Sequence, residues 1–173
     1  MCISVAHPRH LYITRDFIPT HNSVGGAYEV TLHLTGRYPD WWRGYRFTRP
    51  VQVWIAGDTK ETVRDIVQRK LFGPREDMGT GIIPGDAIGD VSWRANSNGA
   101  IDTAKIKHAS GKWSEVGFKA YEQGRVAFQG TERDIIWLDE EPPADVRAEC
   151  VLRLMTRSGL LIETFTPLLG NTD

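Results

Sequence analysis

The sequence predicts an α/β domain built on a mainly parallel sheet flanked by helices. Three observations carry that expectation. Two continuous apolar runs, VQVWIAG (51–57) and DIIWL (134–138), have the composition of strands buried on both faces. Each precedes a stretch with apolar residues at helical spacing, and a third strand pattern, LLIETFTP (160–167), follows the second of these. Strands alternating with helices give a parallel sheet with helices on its faces. At 173 residues and 40% hydrophobic content, the chain suits one globular domain, or a small appendage plus one domain.

In chain order, residues 1–22 read as short alternating runs, ISV, HLYIT and DFIPT, broken by Pro8 and by Arg15-Asp16. This is the pattern of a small β ribbon, which cannot bury a core alone. From Ser23, Val24, Ala27, Tyr28, Leu32 and Leu34 recur at helical spacing until Gly36 and Pro39 end the helix. A loop with Trp41, Trp42 and Gly44 leads to the first buried strand, bounded by Pro50 and Gly57. Asp58 or Thr59 caps a helix through about Phe72, with Val63, Ile66, Val67 and Leu71 on one side. Residues 73–100 are rich in Gly, Pro, Asn and Asp and predict an irregular surface excursion. TAKIKHA and SEVGFKAY, joined by Gly111-Lys112, predict a hairpin. The strand DIIWL, a helix around Asp145 to Met155 and the final strand complete the domain.

The charge balance, 21 basic against 22 acidic residues, gives no overall attraction to a phosphate backbone or an anionic membrane, so any nucleic-acid contact must be local. Cys2 and Cys150 stand too far apart in sequence to suggest a disulfide framework or a CxxC metal site, and a reducing compartment is expected. Nothing approaches the ~20 apolar residues of a membrane span. The expected location is cytoplasmic. His33 and His108 lack metal-ligand spacing and read as structural or exposed. The tryptophans, Trp41 and Trp42 included, read as core and loop packing rather than base-stacking platforms.

In DIIWLDE a buried strand delivers Asp139 and Glu140 to its C-terminal edge, where ligands sit in open parallel sheets. One carboxylate there can hold Mg²⁺ and its neighbour can position or activate an attacking water. A strand ending in a solvated acidic turn has the same appearance. Thr164-Phe165-Thr166-Pro167 brings two hydroxyls to the same edge, where they could sense a γ-phosphate, although Thr-Phe-Thr is also an ordinary strand.

The runs LHLTGRYPDWWRG, AGDTKETVRDIVQRKLFGP, GTGIIPGDAI, FKAYEQGRVAFQGTERDIIWLDEEPP and ETFTPLLG together resemble the ATPase domain of tailed-phage terminase large subunits, over nearly all of residues 23–170. The resemblance implies a P-loop NTPase-type sheet, ATP and Mg²⁺ as cofactors, Asp139 as the Mg²⁺-binding acid and Glu140 as the hydrolytic carboxylate. It implies Thr164 to Thr166 as the motif coupling hydrolysis to movement, with Arg125 and Gln129 relaying nucleotide state. It also implies double-stranded DNA, a portal and a small terminase subunit as partners, and an oligomer in the assembled motor. The family's nuclease would follow the coupling motif, and the chain stops at Asp173, so nuclease activity is not expected.

A P-loop needs backbone amides to cradle phosphate, a Lys to reach it and a hydroxyl for the metal. The family's loop should end in Gly-Lys-Ser or Gly-Lys-Thr before the first helix, yet the chain reads Thr20-His21-Asn22-Ser23. Only the hydroxyl is present, so the site is read as half a site, inactive as an ATPase until a complementary N-terminal piece supplies the first strand and the Gly-Lys. Residues 2–23 in turn resemble the C-terminal end of an intein. Asn22 can attack its own backbone carbonyl through its side-chain amide and cut the Asn22–Ser23 bond; His21 can donate a proton, and Ser23 Oγ can accept the upstream acyl chain. That resemblance makes His10 an assisting histidine and pairs Cys2 with Thr20 as a first nucleophile; a buried small residue is the alternative for Cys2. The expected division is therefore 1–22, an intein C-terminal fragment, and 23–173, the later part of an ATPase domain. Two other readings stand beside it: a self-processing element carrying the rest as passenger, and a non-catalytic α/β binding module.

Overall fold

The computed structural model describes residues 11–13, 19–95 and 99–165. Cys2, His10 and Thr166 lie outside these residues. Two short strands open the chain, β1 (Leu11–Ile13) and β2 (Pro19–His21), paired antiparallel as a ribbon. Helix α1 (Asn22–Thr35) follows directly. The main sheet contains β3 (Gln52–Gly57), β4 (Ile88–Trp93), β5 (Ile101–Lys107), β6 (Trp113–Ala120), β7 (Ile135–Asp139) and β8 (Leu160–Thr164), in the spatial order β4-β5-β6-β3-β7-β8.

The sheet is mixed. β6, β3, β7 and β8 run parallel, whereas β4, β5 and β6 form an antiparallel meander, so three of the five pairings are parallel and two are not. β4 corrects the reading of residues 73–100 as an irregular excursion. Its sequence, IGDVSW, has Gly and Asp at strand positions, and its pairing with β5 shifts register twice, so its alternation is masked.

Alternate residues of the central strands feed two cores, as the period of a strand requires. Val53 and Ile55 of β3 with Ile135 and Trp137 of β7 pack beneath α1. Trp54 and Ala56 with Ile136 and Leu138 pack on the other face against Val146, Cys150 and Leu154 of helix α4 (Ala144–Met155). His33 and His108 are buried, their Nδ1 atoms 2.9 Å from the Tyr38 and Ser110 hydroxyls respectively, as structural histidines should be.

After β3 the chain coils through α2 (Lys60–Thr62), a π-helical run Val63–Gln68 and α3 (Arg69–Phe72). Thr59 and Thr62 open it with reciprocal side-chain to backbone hydrogen bonds, a capping box. Val63, Val67 and Leu71 are buried as expected, but Ile66 is 46% exposed, because the wider π turn rotates it off that side. The last four carbonyls of a helix lack partners within it. Here all four are satisfied: Gly73 N–H donates to Arg69 O at 2.9 Å, Ile82 N–H to Lys70 O at 2.9 Å, Ile83 N–H to Leu71 O at 2.8 Å and Gly79 N–H to Phe72 O at 2.7 Å. The Gly-rich segment is thus a fitted cap that fixes α3 beside the sheet edge.

At the opposite edge, fully buried Asp134 accepts from Arg49 Nη2 at 2.7 Å and from Gln52 N–H at 2.8 Å, with Arg157 Nη1 at 3.3 Å. Burial disfavours its charge, but the Arg49 and Gln52 hydrogen bonds and both arginine charges outweigh that and hold the carboxyl below the usual range. A depressed folded-state pKa adds stability above the unfolded value and loses it as pH falls. Asp134→Asn is therefore expected to cost about 1–3 kcal/mol at pH 7. Thermal melts should show the gap from wild type closing as pH drops below about 4.

Candidate functional site

The C-terminal ends of β3 and β7 meet the N-terminus of α1 around a cavity of about 340 Å³, lined by Ser23, Asp58, Lys70, Asp139 and Glu140 among others. Each side chain arrives there for a local reason. Ser23 sits in the first turn of α1, where unpaired backbone N–H groups favour an anion. Its own N–H donates to Asn22 Oδ1 at 2.8 Å. Asp139 ends β7, whose preceding residues Ile135 to Leu138 are fully buried, so the strand exits its core on this carboxylate.

Asp139 is only 4% exposed. Trp137 Nε1 donates to Thr164 Oγ1 at 2.7 Å, and Thr164 Oγ1 donates to Asp139 Oδ1 at 2.6 Å. Burial raises the Asp139 pKa above the ordinary range, against the opposing effects of hydrogen bonds from Thr164 and Ser23 and the charge of Lys70. A buried carboxylate with a raised pKa costs stability when ionised. Asp139→Asn should therefore raise the melting temperature at pH 7. The gain should shrink as pH falls and wild-type Asp139 takes up a proton.

Glu140 continues the ladder, its N–H donating to Thr164 O at 2.9 Å, but its φ of 69° is left-handed, a conformation that costs a residue with a Cβ. Tyr121 Oη holds this kink, donating to the carbonyls of Asp139 at 3.1 Å and Glu140 at 3.2 Å. Burial, followed by the charge of Asp139, keeps the phenol protonated far above its usual titration range, so it remains a donor.

Of the residues expected at the site, Ser23, Asp139 and Glu140 share the cavity, and Thr164 reaches it through Asp139. Asn22 lines it as well. The backbone of His21 ends β2 immediately before α1. Arg125 is not brought there. It lies 4.0 Å from Glu149 of α4, in the turn Arg125–Phe128 that packs with the other core, and Gln129 leaves that turn exposed. The cavity also holds residues the sequence did not single out. Asp58 follows the C-terminal end of β3, so the strand-end rule that selected Asp139 could have found it. Lys70 depends on the π turn and its cap, which carry no sequence signal of their own.

Residues 23–170 match the family model described as terminase large subunit, T4likevirus-type, N-terminal. The terminase large subunit of Salmonella phage P22 is 38% identical over 189 residues, an alignment covering 95% of this chain and 38% of that protein. The chain thus spans well under half the length of this relative. The alignment takes in more than residues 23–173 alone would make up, so part of the opening segment falls within it. No solved structure matches significantly. A family match over most of the chain, beginning at the serine in the first turn of α1 and enclosing both strand-end acids, places this chain in the terminase large subunit family.

Proposed function

We propose that residues 23–173 are part of the ATP-hydrolysing motor that packages phage DNA, with the cavity between α1 and β7 as the nucleotide site. One observation carries this reading: Ser23, at a helix N-terminus, faces the strand-end pair Asp139 and Glu140 across a single cavity. A hydroxyl and a carboxylate are hard oxygen donors of the kind Mg²⁺ takes. Among the described residues no group of three or more His, Cys, Asp or Glu could cage a metal, so the remaining ligands would be water or phosphate oxygens. Bound there, Mg²⁺ supplies charge neutralisation at the phosphates. Ser23 and Asp139 would hold it, Glu140 would orient and deprotonate the attacking water, and Thr164, with Thr166 beyond the described residues, would link the site to movement of β8. Among the described residues no helix is long and apolar enough to cross a membrane. Host cytoplasm is the proposed location, with double-stranded DNA, portal, small subunit and other copies of the motor as partners.

The site lacks a phosphate-reaching Lys at Thr20-His21-Asn22. Among the described residues β8 is an end strand, with β7 on one side only. Both features support completion by a complementary piece that adds a strand and a Gly-Lys loop. With that piece present, Mg²⁺-dependent ATP binding should weaken at least about tenfold in Asp139→Ala, by equilibrium nucleotide titration. Unchanged affinity would defeat the assignment.

A second reading, in which residues 1–22 are the intein fragment, is favoured by the family match starting at Ser23, the residue after His21-Asn22. The alignment that extends into the opening segment speaks instead for a terminase origin of part of it. Mixing the chain with a matching N-terminal half decides between them. Splicing yields a ligated product without residues 1–22, abolished by Asn22→Ala; an intact Asn22–Ser23 bond after incubation excludes it.

A further inference from the structure

Trp137 is fully buried in β7, two residues before Asp139, and its role extends past filling the core. Its indole N–H donates to Thr164 Oγ1 at 2.7 Å, and that hydroxyl donates to Asp139 Oδ1 at 2.6 Å. Chemistry at both ends fixes the direction of this chain. An indole N–H can only donate and an ionised carboxylate can only accept, so the Thr164 proton has one place to point. The hydroxyl, free to rotate elsewhere, is pinned.

The same ring rests against α1. A Cβ built on Gly26 would lie 2.7 Å from Trp137 Cε2 and 2.8 Å from Nε1, so the absence of a side chain at Gly26 lets the helix settle on the indole. Gly26 is three residues beyond Ser23, on the helix whose first turn faces Asp139. One rigid ring therefore touches the helix that carries the hydroxyl side of the cavity and, through its one hydrogen bond, the threonine of β8, which in turn bonds the carboxylate of β7.

We propose that Trp137 is a positioning residue: it locks the Thr164 hydroxyl onto Asp139 Oδ1, so that the carboxylate presents its other oxygen to the cavity opposite Ser23 in a single orientation. This rests on the reading of the cavity as a cation and nucleotide site. Packing alone does not need the N–H, and Phe at this position keeps most of the ring while deleting the donor.

The test uses the chain itself with Mn²⁺ as probe, titrated by electron paramagnetic resonance, while NMR follows the Trp137 indole proton. Trp137→Phe and Thr164→Val should each weaken Mn²⁺ binding about three- to tenfold, the double variant no more than Thr164→Val alone, and Thr164→Ser should keep wild-type affinity. In Thr164→Val the Trp137 indole resonance should move upfield as its acceptor disappears, a change that a purely space-filling tryptophan would not show. If Trp137→Phe binds Mn²⁺ like wild type while Asp139→Ala does not bind, or if the two effects simply add, the positioning role is overturned and the site reading survives. If Asp139→Ala binds Mn²⁺ as wild type does, the site reading falls and takes this role with it.

Discussion

Replacing Glu140 with Gln is expected to lower ATP turnover by the completed motor about 10²–10⁴-fold, the range that a general base contributes. Nucleotide affinity should stay within about threefold, because the change removes a proton acceptor and leaves the metal-side donors in place. Two structural facts sharpen the expectation. Glu140 carries its side chain on a left-handed backbone at φ 69°, held by Tyr121 and by the bond from its N–H to Thr164 O, so Gln inherits the same position at the same strain. Asp139, one residue earlier, is buried, and Glu140 is exposed at the cavity, where a water could reach it. The two acids therefore divide the work by environment. Steady-state phosphate release and nucleotide titration on the same preparation give the two quantities. Unchanged turnover would favour a non-catalytic binding module.

The largest effect on stability is expected at Gly81. A Cβ there would stand 2.5 Å from both the carbonyl carbon and oxygen of Leu71 and 2.6 Å from Gly73 N. These are backbone atoms at the C-terminal end of α3, and the neighbouring Ile82 and Ile83 N–H groups are the partners of the Lys70 and Leu71 carbonyls. The clash can be relieved only by withdrawing the 81–83 segment, which breaks those two bonds and lifts Ile83 out of the core. Overpacking together with two lost hydrogen bonds should cost about 3–5 kcal/mol in Gly81→Ala, read from urea unfolding.

The contrast between these two residues shows what the sequence made legible. Asp139 and Glu140 could be found because a buried strand is a continuous apolar run and its end is a position, independent of distant packing. Ser23 and α1 were visible through helical spacing, and the hairpin of β5 and β6 through alternation around Gly111. Gly81 looked like loop composition, since its purpose lies in carbonyls ten residues earlier. β4 was hidden for a related reason: an edge strand with bulges and half-exposed residues has little alternation to show. Lys70 and Ile66 depend on a π-helical turn, and Trp137 read as one more apolar residue of DIIWL because its N–H matters only once β8 lies beside β7. Arg125 was assigned by resemblance, and the fold places it against Glu149 rather than at the cavity.

The central claim is that this chain carries the acidic, metal-binding side of an ATPase site whose phosphate-reaching Lys comes from elsewhere. Its most direct test is ATP hydrolysis by the chain alone and after addition of a terminase segment bearing the Gly-Lys loop. The expected result is turnover at least about 100-fold lower without the segment, restored on mixing. Rapid Mg²⁺-dependent hydrolysis by the unaccompanied chain, with Thr20-His21-Asn22 still in place, would contradict it.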